Sequence, residues 1–168
     1  MIPISFVALG VGAASLLAIK NASVSSVDSN IGAFLAVIRQ GESSGDYSAY
    51  VSFGARDSFY DNSGHPIETG EKGYVIRPDT GELTSAAGAY QIVYSTWLTV
   101  RQPDFSPYSQ DNAAIELIKR RGAYFDIIAG DIASAVPKLR NEWEMFKQPK
   151  WSIVAVSNLF VKNGGVLA

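Results

Sequence analysis

A carboxylic acid at the C-terminal end of a helix is the feature of this sequence best suited to acid–base chemistry. Apolar residues at helical spacing predict a helix that ends at Gly41, and Glu42 follows directly. The negative end of the helix dipole disfavours the ionised carboxylate and raises its pKa, and apolar neighbours would act in the same direction. Glu42 could then donate a proton to a leaving-group oxygen near neutral pH. Judged from position alone, a solvated surface carboxylate is the alternative, because Glu42 is one of 16 acidic residues.

The helix that positions Glu42 has clear signals at its start and along its buried face. Asp28, Ser29 or Asn30 can cap its N-terminus. Its apolar face is formed by four residues at helical spacing: Ile31, Phe34, Leu35 and Ile38.

After this helix the pattern changes and then becomes helical again. Residues 43–85 are rich in glycine and proline between short apolar runs, which predicts loops and a small antiparallel sheet. Later helices are predicted behind Ser106–Pro107, from Asp131 to Trp143, and from about Ser152 to Lys162. The predicted fold class is therefore α+β, mostly helical with one small β-rich insertion.

Composition excludes several classes of chemistry. The chain has 168 residues, a formal net charge of −2, no cysteine and one histidine, His65. The absence of cysteine rules out disulfides, a thiolate nucleophile and thiolate metal sites, and a single histidine cannot form a multi-histidine metal site. The charge argues against nucleic-acid binding. We therefore expect no cofactor, no metal and no nucleic-acid partner.

Several ordered motifs resemble one enzyme family. Residues 40–45 resemble the helix-end Glu-Ser motif of lysozyme-like lytic transglycosylases, and residues 87–92 resemble their Gly-x-Tyr-Gln motif. Residues 59–66, 104–111 and 118–123 resemble stretches of the bacteriophage lambda lysozyme family. Each motif alone is weak, but the five occur in the family's order over most of the domain.

The resemblance implies a lysozyme-like fold and cleavage of the β-1,4 bond between N-acetylmuramic acid and N-acetylglucosamine in peptidoglycan. It also implies formation of a 1,6-anhydro ring without water, for phage-type wall penetration or lysis. Glu42 would first act as general acid and then, as the carboxylate, as general base. Two alternatives stay open: a muramidase that uses water, and a non-catalytic wall-binding or virion structural module.

Four further residues are predicted to bind substrate from their place in the matching motifs. Tyr90 and Gln91 would contact the sugar or hold the acid, with core packing as the alternative for the ring. Asp61 would bond sugar hydroxyls or, equally, stabilise a turn. Tyr47 would line the cleft, and His65 is expected to order a loop. The three tryptophans are interpreted as core residues, with a glycan platform as the alternative: Trp97, Trp143 and Trp151.

The first residues predict a membrane segment. Residues 2–19 carry no charged side chain, so residues 1–20 are predicted to be an N-terminal membrane helix, followed by a linker over 21–30 and a catalytic domain over 31–168. A cleaved secretory signal and a buried helix are the alternatives. We expect a membrane-anchored protein whose catalytic domain faces the periplasm and cell wall, or one in a virion-associated membrane. The expected partners are peptidoglycan glycan strands, the membrane through the N-terminal helix, and virion or membrane proteins.

Overall fold

The computed structural model describes residues 29–50, 57–59, 61–77 and 79–168. In this part of the chain the helices and strands follow one another in this order: α1 (29–42), β1 (Ala49–Tyr50), β2 (Asp57–Ser58), β3 (Tyr74–Arg77), β4 (Glu82–Thr84), α2 (Tyr94–Val100), α3 (Pro107–Arg120), α4 (Tyr124–Ala129), α5 (Ile132–Leu139), two 3-10 turns (Glu144–Lys147 and Pro149–Trp151) and α6 (Ile153–Lys162).

Helix α1 packs against the hydrophobic core. The four residues of its predicted apolar face are buried: Ile31, Phe34, Leu35 and Ile38. Val37, which was not part of that prediction, is fully buried as well. Residues 29 and 30, which were predicted to end the linker, already belong to the helix. Asn30 ties this end of α1 to the C-terminal segment, since its side chain bonds both the N–H and the C=O of Val166.

Two short antiparallel strand pairs form the β-rich insertion. Strand β1 pairs with β2, and β3 pairs with β4 with an irregularity in register between Val75 and Arg77. Isolated bridges join Tyr50 to Ala87 and Ala87 to Ile92. Through them the insertion is connected to the turn over 87–92, which lies beside the end of α1.

The later helices begin where their capping residues predict. The side-chain oxygens of Ser106, Asp131 and Ser152 each accept a bond from a backbone N–H in the first turn of α3, α5 and α6, respectively. Helix α5 ends at Leu139 rather than near Trp143, although Pro137 lies inside it. Trp143 instead packs in the core and donates its indole N–H to the backbone oxygen of Tyr90 at 3.1 Å.

The predicted fold class needs one correction. The α+β, mostly helical architecture with a small β-rich insertion is found, but no helix among the described residues is long and apolar enough to cross a bilayer. The N-terminal membrane helix predicted at residues 1–20 is not supported by this finding. Residues 1–20 and most of the predicted linker lie outside the described residues.

Candidate active site

Glu42 is the last residue of α1, and the glycine before it lets two large side chains approach the helix end. A Cβ atom on Gly41 would overlap the Sδ and Cε atoms of Met145 and would lie 3.1 Å from Cζ2 of Trp151. Met145 is almost fully buried. The final turn of α1 is thus covered by the segment that connects α5 to α6.

This environment raises the pKa of Glu42 to about 7. Burial is the largest cause, because desolvation disfavours the charged form, and the negative charge of Glu144 adds to it. A hydrogen bond from the backbone N–H of Met145 acts in the opposite direction. The Oε1 atom of Glu42 is buried and has no hydrogen-bond partner among the described residues. The direction of the shift agrees with the sequence prediction, and burial is its largest cause.

Glu144 should therefore tune the pH range over which Glu42 holds its proton. Its carboxylate is exposed and pairs with Lys147 at 2.6 Å. If protonated Glu42 is required, activity should fall as the pH rises through about 7. Glu144→Gln removes the repulsion, lowers the pKa of Glu42 and should move this loss of activity to lower pH.

The measurement is a pH–rate profile on purified cell walls for the parent and the variant. Glu116→Gln is a matched control, since Glu116 forms an ion pair on α3 with Arg120 and does not act on Glu42. Superimposable profiles for Glu144→Gln and the parent would show that the charge of Glu144 does not affect the pKa of Glu42.

Ser43 fastens the end of α1 to the neighbouring turn. Its Oγ lies 3.0 Å from the backbone oxygen of Ala89 and 3.2 Å from that of Arg39, and the serine is buried. The backbone N–H groups of Ser43 and Gly45 also bond to the oxygen of Arg39. The serine of the Glu-Ser motif therefore fixes the position of the acid relative to the turn over 87–92.

Ser43→Ala should cost about 1–2 kcal/mol of unfolding free energy, because the buried oxygen of Ala89 loses its hydroxyl partner. Urea denaturation measures the change, with the exposed Ser95→Ala on α2 as the control. A loss no larger than that of the control would contradict the fastening role.

Tyr47 and Tyr90 belong to a polar network beside this turn. Both hydroxyls donate to Oδ1 of Asp111, at 2.7 Å from Tyr47 and 2.5 Å from Tyr90. Arg39, one turn before Glu42, donates to the Tyr90 hydroxyl at 2.8 Å and to the same Asp111 oxygen at 3.3 Å. Burial raises the pKa of Tyr47 to about 12 and that of Tyr90 further, so both are neutral donors.

The four predicted substrate-binding residues occupy different environments. Tyr90 is 1% exposed, so its ring could not contact a sugar without opening the network. Tyr47 is half-buried, with the Arg39 guanidinium 5.5 Å from its ring centre. Gln91 has a positive φ of 48° and donates to the oxygen of Gly88 at 2.9 Å, which stabilises the turn.

Asp61 and His65 lie in the loop that precedes β3. Asp61 is exposed and accepts the N–H of Ser63 at 2.8 Å, which is the turn-stabilising role weighed from the sequence. His65 is fully buried, accepts the N–H of Ile67 at Nδ1 and approaches the oxygen of Ile92 with Nε2. It therefore orders a loop, and burial lowers the pKa of its imidazole.

Gln110 on α3 has a structural role in this site that was not predicted, although it lies in the family-like stretch over residues 104–111. Its side-chain oxygen accepts the N–H of Ala89, and its amide donates to the oxygens of Tyr47 and Phe105. A Cβ on Gly88 would collide with this side chain. The described residues contain no cluster of His, Cys, Asp and Glu side chains able to hold a metal ion.

A family model and two endolysins match this chain. The endolysin family model matches residues 32–167. The endolysin of Escherichia phage P2 is 44% identical over 94 residues, 54% of this chain and 56% of that protein. The endolysin of Escherichia phage lambda is 37% identical over 89 residues, 51% of this chain and 52% of that protein. The matched region thus spans about half the length of these two relatives.

Solved structures of bacteriophage lambda lysozyme share the fold. One structure of this lysozyme superposes with a TM-score of 0.71 and 26% identity, over 83% of this chain and 97% of that one. A second structure, the lysozyme complexed with a chitohexasaccharide, gives a TM-score of 0.69 at the same identity and coverage. The lysozyme-like fold expected from the resemblance is confirmed.

The comparisons also bear on the predicted location and partners. The relatives are named as endolysins, and the described residues contain no helix able to span a bilayer. These findings contradict the membrane-anchored or virion-membrane location, and neither membrane nor virion partners are supported. The resemblance itself is confirmed, because the family model matches most of the chain and the related proteins agree with it: the chain belongs to the endolysin family.

Proposed function

We propose that this chain degrades peptidoglycan as a lytic transglycosylase, with Glu42 as its single catalytic carboxyl group. The observation that carries the proposal is the buried Oε1 atom of Glu42, which has no protein partner in the described structure and belongs to a group whose pKa is raised to about 7. Such a group can hold a proton and offer it to a substrate oxygen. The structural relative complexed with a chitohexasaccharide supports a glycan as the substrate.

In the proposed reaction Glu42 donates its proton to the glycosidic oxygen as the bond between C1 of N-acetylmuramic acid and that oxygen breaks. The new carboxylate then accepts the proton of the C6 hydroxyl of the same sugar, and O6 bonds to C1. The products are a 1,6-anhydro end and a free hydroxyl on the leaving N-acetylglucosamine. Glu42 ends the cycle protonated, and no water is consumed.

The surroundings of Glu42 favour one carboxyl group over two. Glycosidases that use water usually place a second carboxylate opposite the acid. Among the described residues, Glu144 is the acidic group whose charge raises the pKa of Glu42, but its side chain is 66% exposed and is paired with Lys147. An exposed, ion-paired carboxylate is poorly placed to act as nucleophile or base.

The proximity of Glu144 nevertheless defines the second candidate, a muramidase in which Glu144 activates water. Digestion of purified peptidoglycan in heavy-oxygen water, followed by mass spectrometry, separates the two reactions. A transglycosylase gives unlabelled anhydro ends that are lighter by one water, whereas a hydrolase gives labelled reducing ends. Labelled reducing ends without anhydro products would overturn the transglycosylase proposal, and loss of cleavage in Glu144→Gln would favour the muramidase.

The proposed substrate contacts follow the exposure of the side chains. Tyr47, beside the turn over 87–92, and Gln91, within it, are partly exposed, so a direct contact with sugar is proposed for both. Asp61 is exposed, and its contact with sugar hydroxyls stays a prediction. For Tyr90 we propose an indirect role, in which the hydroxyl holds Arg39 and thereby the last turn of α1.

A further inference from the structure

Trp151 lies directly beside the candidate acid. It ends the second 3-10 turn, and its ring approaches the last turn of α1 so closely that Cζ2 would be 3.1 Å from a Cβ on Gly41. Trp97 and Trp143 are 3% and 4% exposed and belong to the core, whereas Trp151 is partly exposed. This tryptophan is thus at the boundary between the core and the surface that carries Glu42.

The indole N–H of Trp151 is buried and has no hydrogen-bond partner in the described part of the chain. Buried polar groups in native proteins are nearly always bonded, so an unpaired donor calls for an explanation such as an absent ligand. Trp143 shows the usual case, since its indole N–H donates to the oxygen of Tyr90. The other unpaired buried side-chain atom in this part of the chain is the acceptor Oε1 of Glu42.

An unpaired donor and an unpaired acceptor therefore flank the same glycine. Nε1 is two bonds from the Cζ2 atom that meets Gly41, and Glu42 is the next residue in the chain. A protonated carboxyl group and an indole N–H together can bind a ligand rich in oxygen atoms. Sugars present such oxygens as hydroxyl, glycosidic and acetamido carbonyl groups.

We propose that Trp151 is a glycan-binding residue whose indole N–H donates to an oxygen of the sugar held at Glu42. The contact is through the edge of the ring, because the Nζ of Lys150 lies 5.9 Å from the ring centre and occupies one face. The proposal rests on the proposed function, since it takes the glycan as the ligand.

The test replaces the N–H without changing the ring. Trp151 is exchanged for 3-benzothienylalanine, in which sulfur replaces the N–H, and Trp151→Phe is made beside it. Binding of a chitohexasaccharide is measured by calorimetry in the Glu42→Gln background, where cleavage does not interfere. We expect the Kd to rise about 3- to 10-fold for the sulfur analogue, as for loss of one neutral hydrogen bond.

A thermal unfolding scan distinguishes binding from a structural role. Because the N–H has no partner among the described residues, the sulfur analogue should keep the parental Tm. Lys150→Gln is the matched control and should leave the Kd unchanged, since that side chain faces the ring and not the N–H. An unchanged Kd for the sulfur analogue, or an increase matched by a fall in Tm, would overturn the proposal.

The outcome is separable from that of the proposed function. If Glu42→Gln still cleaves peptidoglycan while the sulfur analogue binds the saccharide more weakly, the acid assignment fails and the role of Trp151 stands. If Glu42→Gln is inactive and the analogue binds as tightly as the parent, the acid assignment stands and the role of Trp151 fails. Failure of the Glu42→Gln protein with native Trp151 to bind the chitohexasaccharide would overturn the Trp151 proposal.

Discussion

Glu42→Gln is expected to reduce glycan cleavage by about 10²–10⁴-fold, the usual contribution of a general acid–base group. Glutamine keeps the size of the side chain and its place at the end of α1, but its amide cannot donate a proton to the glycosidic oxygen. The measurement is the rate of release of soluble muropeptides from purified cell walls, with Glu144→Gln assayed in parallel well below pH 7, where Glu42 is protonated in this variant too. In the proposed reaction the second variant stays active there, since it changes only the charge that acts on Glu42.

The same substitution should make the folded protein more stable above neutral pH. The pKa of Glu42 is about 7 in the folded state against an ordinary value of 4.5, so the folded state binds this proton more tightly than the unfolded state. The stability that the folded state gains by holding this proton is fully present below pH 4.5 and is lost as the pH rises through about 7. Glutamine carries no charge to desolvate, so Glu42→Gln should gain on the order of 1–3 kcal/mol at pH 8.

Urea denaturation at pH 4 and pH 8 tests this gain, and the difference between variant and parent should nearly vanish at pH 4. Glu116→Gln on the surface of α3 should show no such pH dependence.

In the cleavage assay, parental activity in Glu42→Gln would remove Glu42 from the mechanism. An inactive parent would instead favour the non-catalytic wall-binding module.

The elements that position Glu42 could be predicted because their signals are local. The apolar spacing of Phe34 and Ile38 marked α1, and Gly41 marked its end. The caps of the later helices are also local, because each capping side chain accepts a hydrogen bond from the backbone N–H three residues further along the chain. The family resemblance then joined these local signals into one fold.

The contacts that hold the acid in place could not be predicted in the same way. Tyr47 and Asp111 are separated by 64 residues in sequence, and Arg39 and Asp111 by 72. The motif over residues 104–111 contains Gln110 and Asp111, but its resemblance to the family does not say which residues they contact. Tyr90 was predicted to contact the sugar because residues 87–92 resemble the Gly-x-Tyr-Gln motif. A sequence motif does not show whether the tyrosine ring is buried, and this ring is.

Asp111→Ala should be the most destabilising of the site substitutions, by about 2–4 kcal/mol. Its Oδ1 accepts bonds from three groups: Arg39, Tyr47 and Tyr90. Alanine leaves the hydroxyl of buried Tyr90 without an acceptor and the guanidinium of Arg39 without its counter-charge. The side chains of Arg39 and Asp111 are 21% and 34% exposed, so solvent screening keeps the cost below that of a fully buried pair.

Activity should fall along with stability, because Arg39 precedes Glu42 by one turn and its backbone oxygen holds Ser43 and Gly45. A displaced acid lowers kcat on the order of tenfold, measured at a temperature where the variant is fully folded. Asp126→Ala is the matched control, since Asp126 forms a partly exposed ion pair with Lys138 at 2.6 Å, away from the network, and the substitution should cost less than about 1 kcal/mol. Asp111→Asn keeps the acceptor oxygen without the charge, so it should recover part of both losses if hydrogen bonding to the tyrosines matters. If Asp111→Ala lowers kcat no more than Asp126→Ala does, the network does not position Glu42.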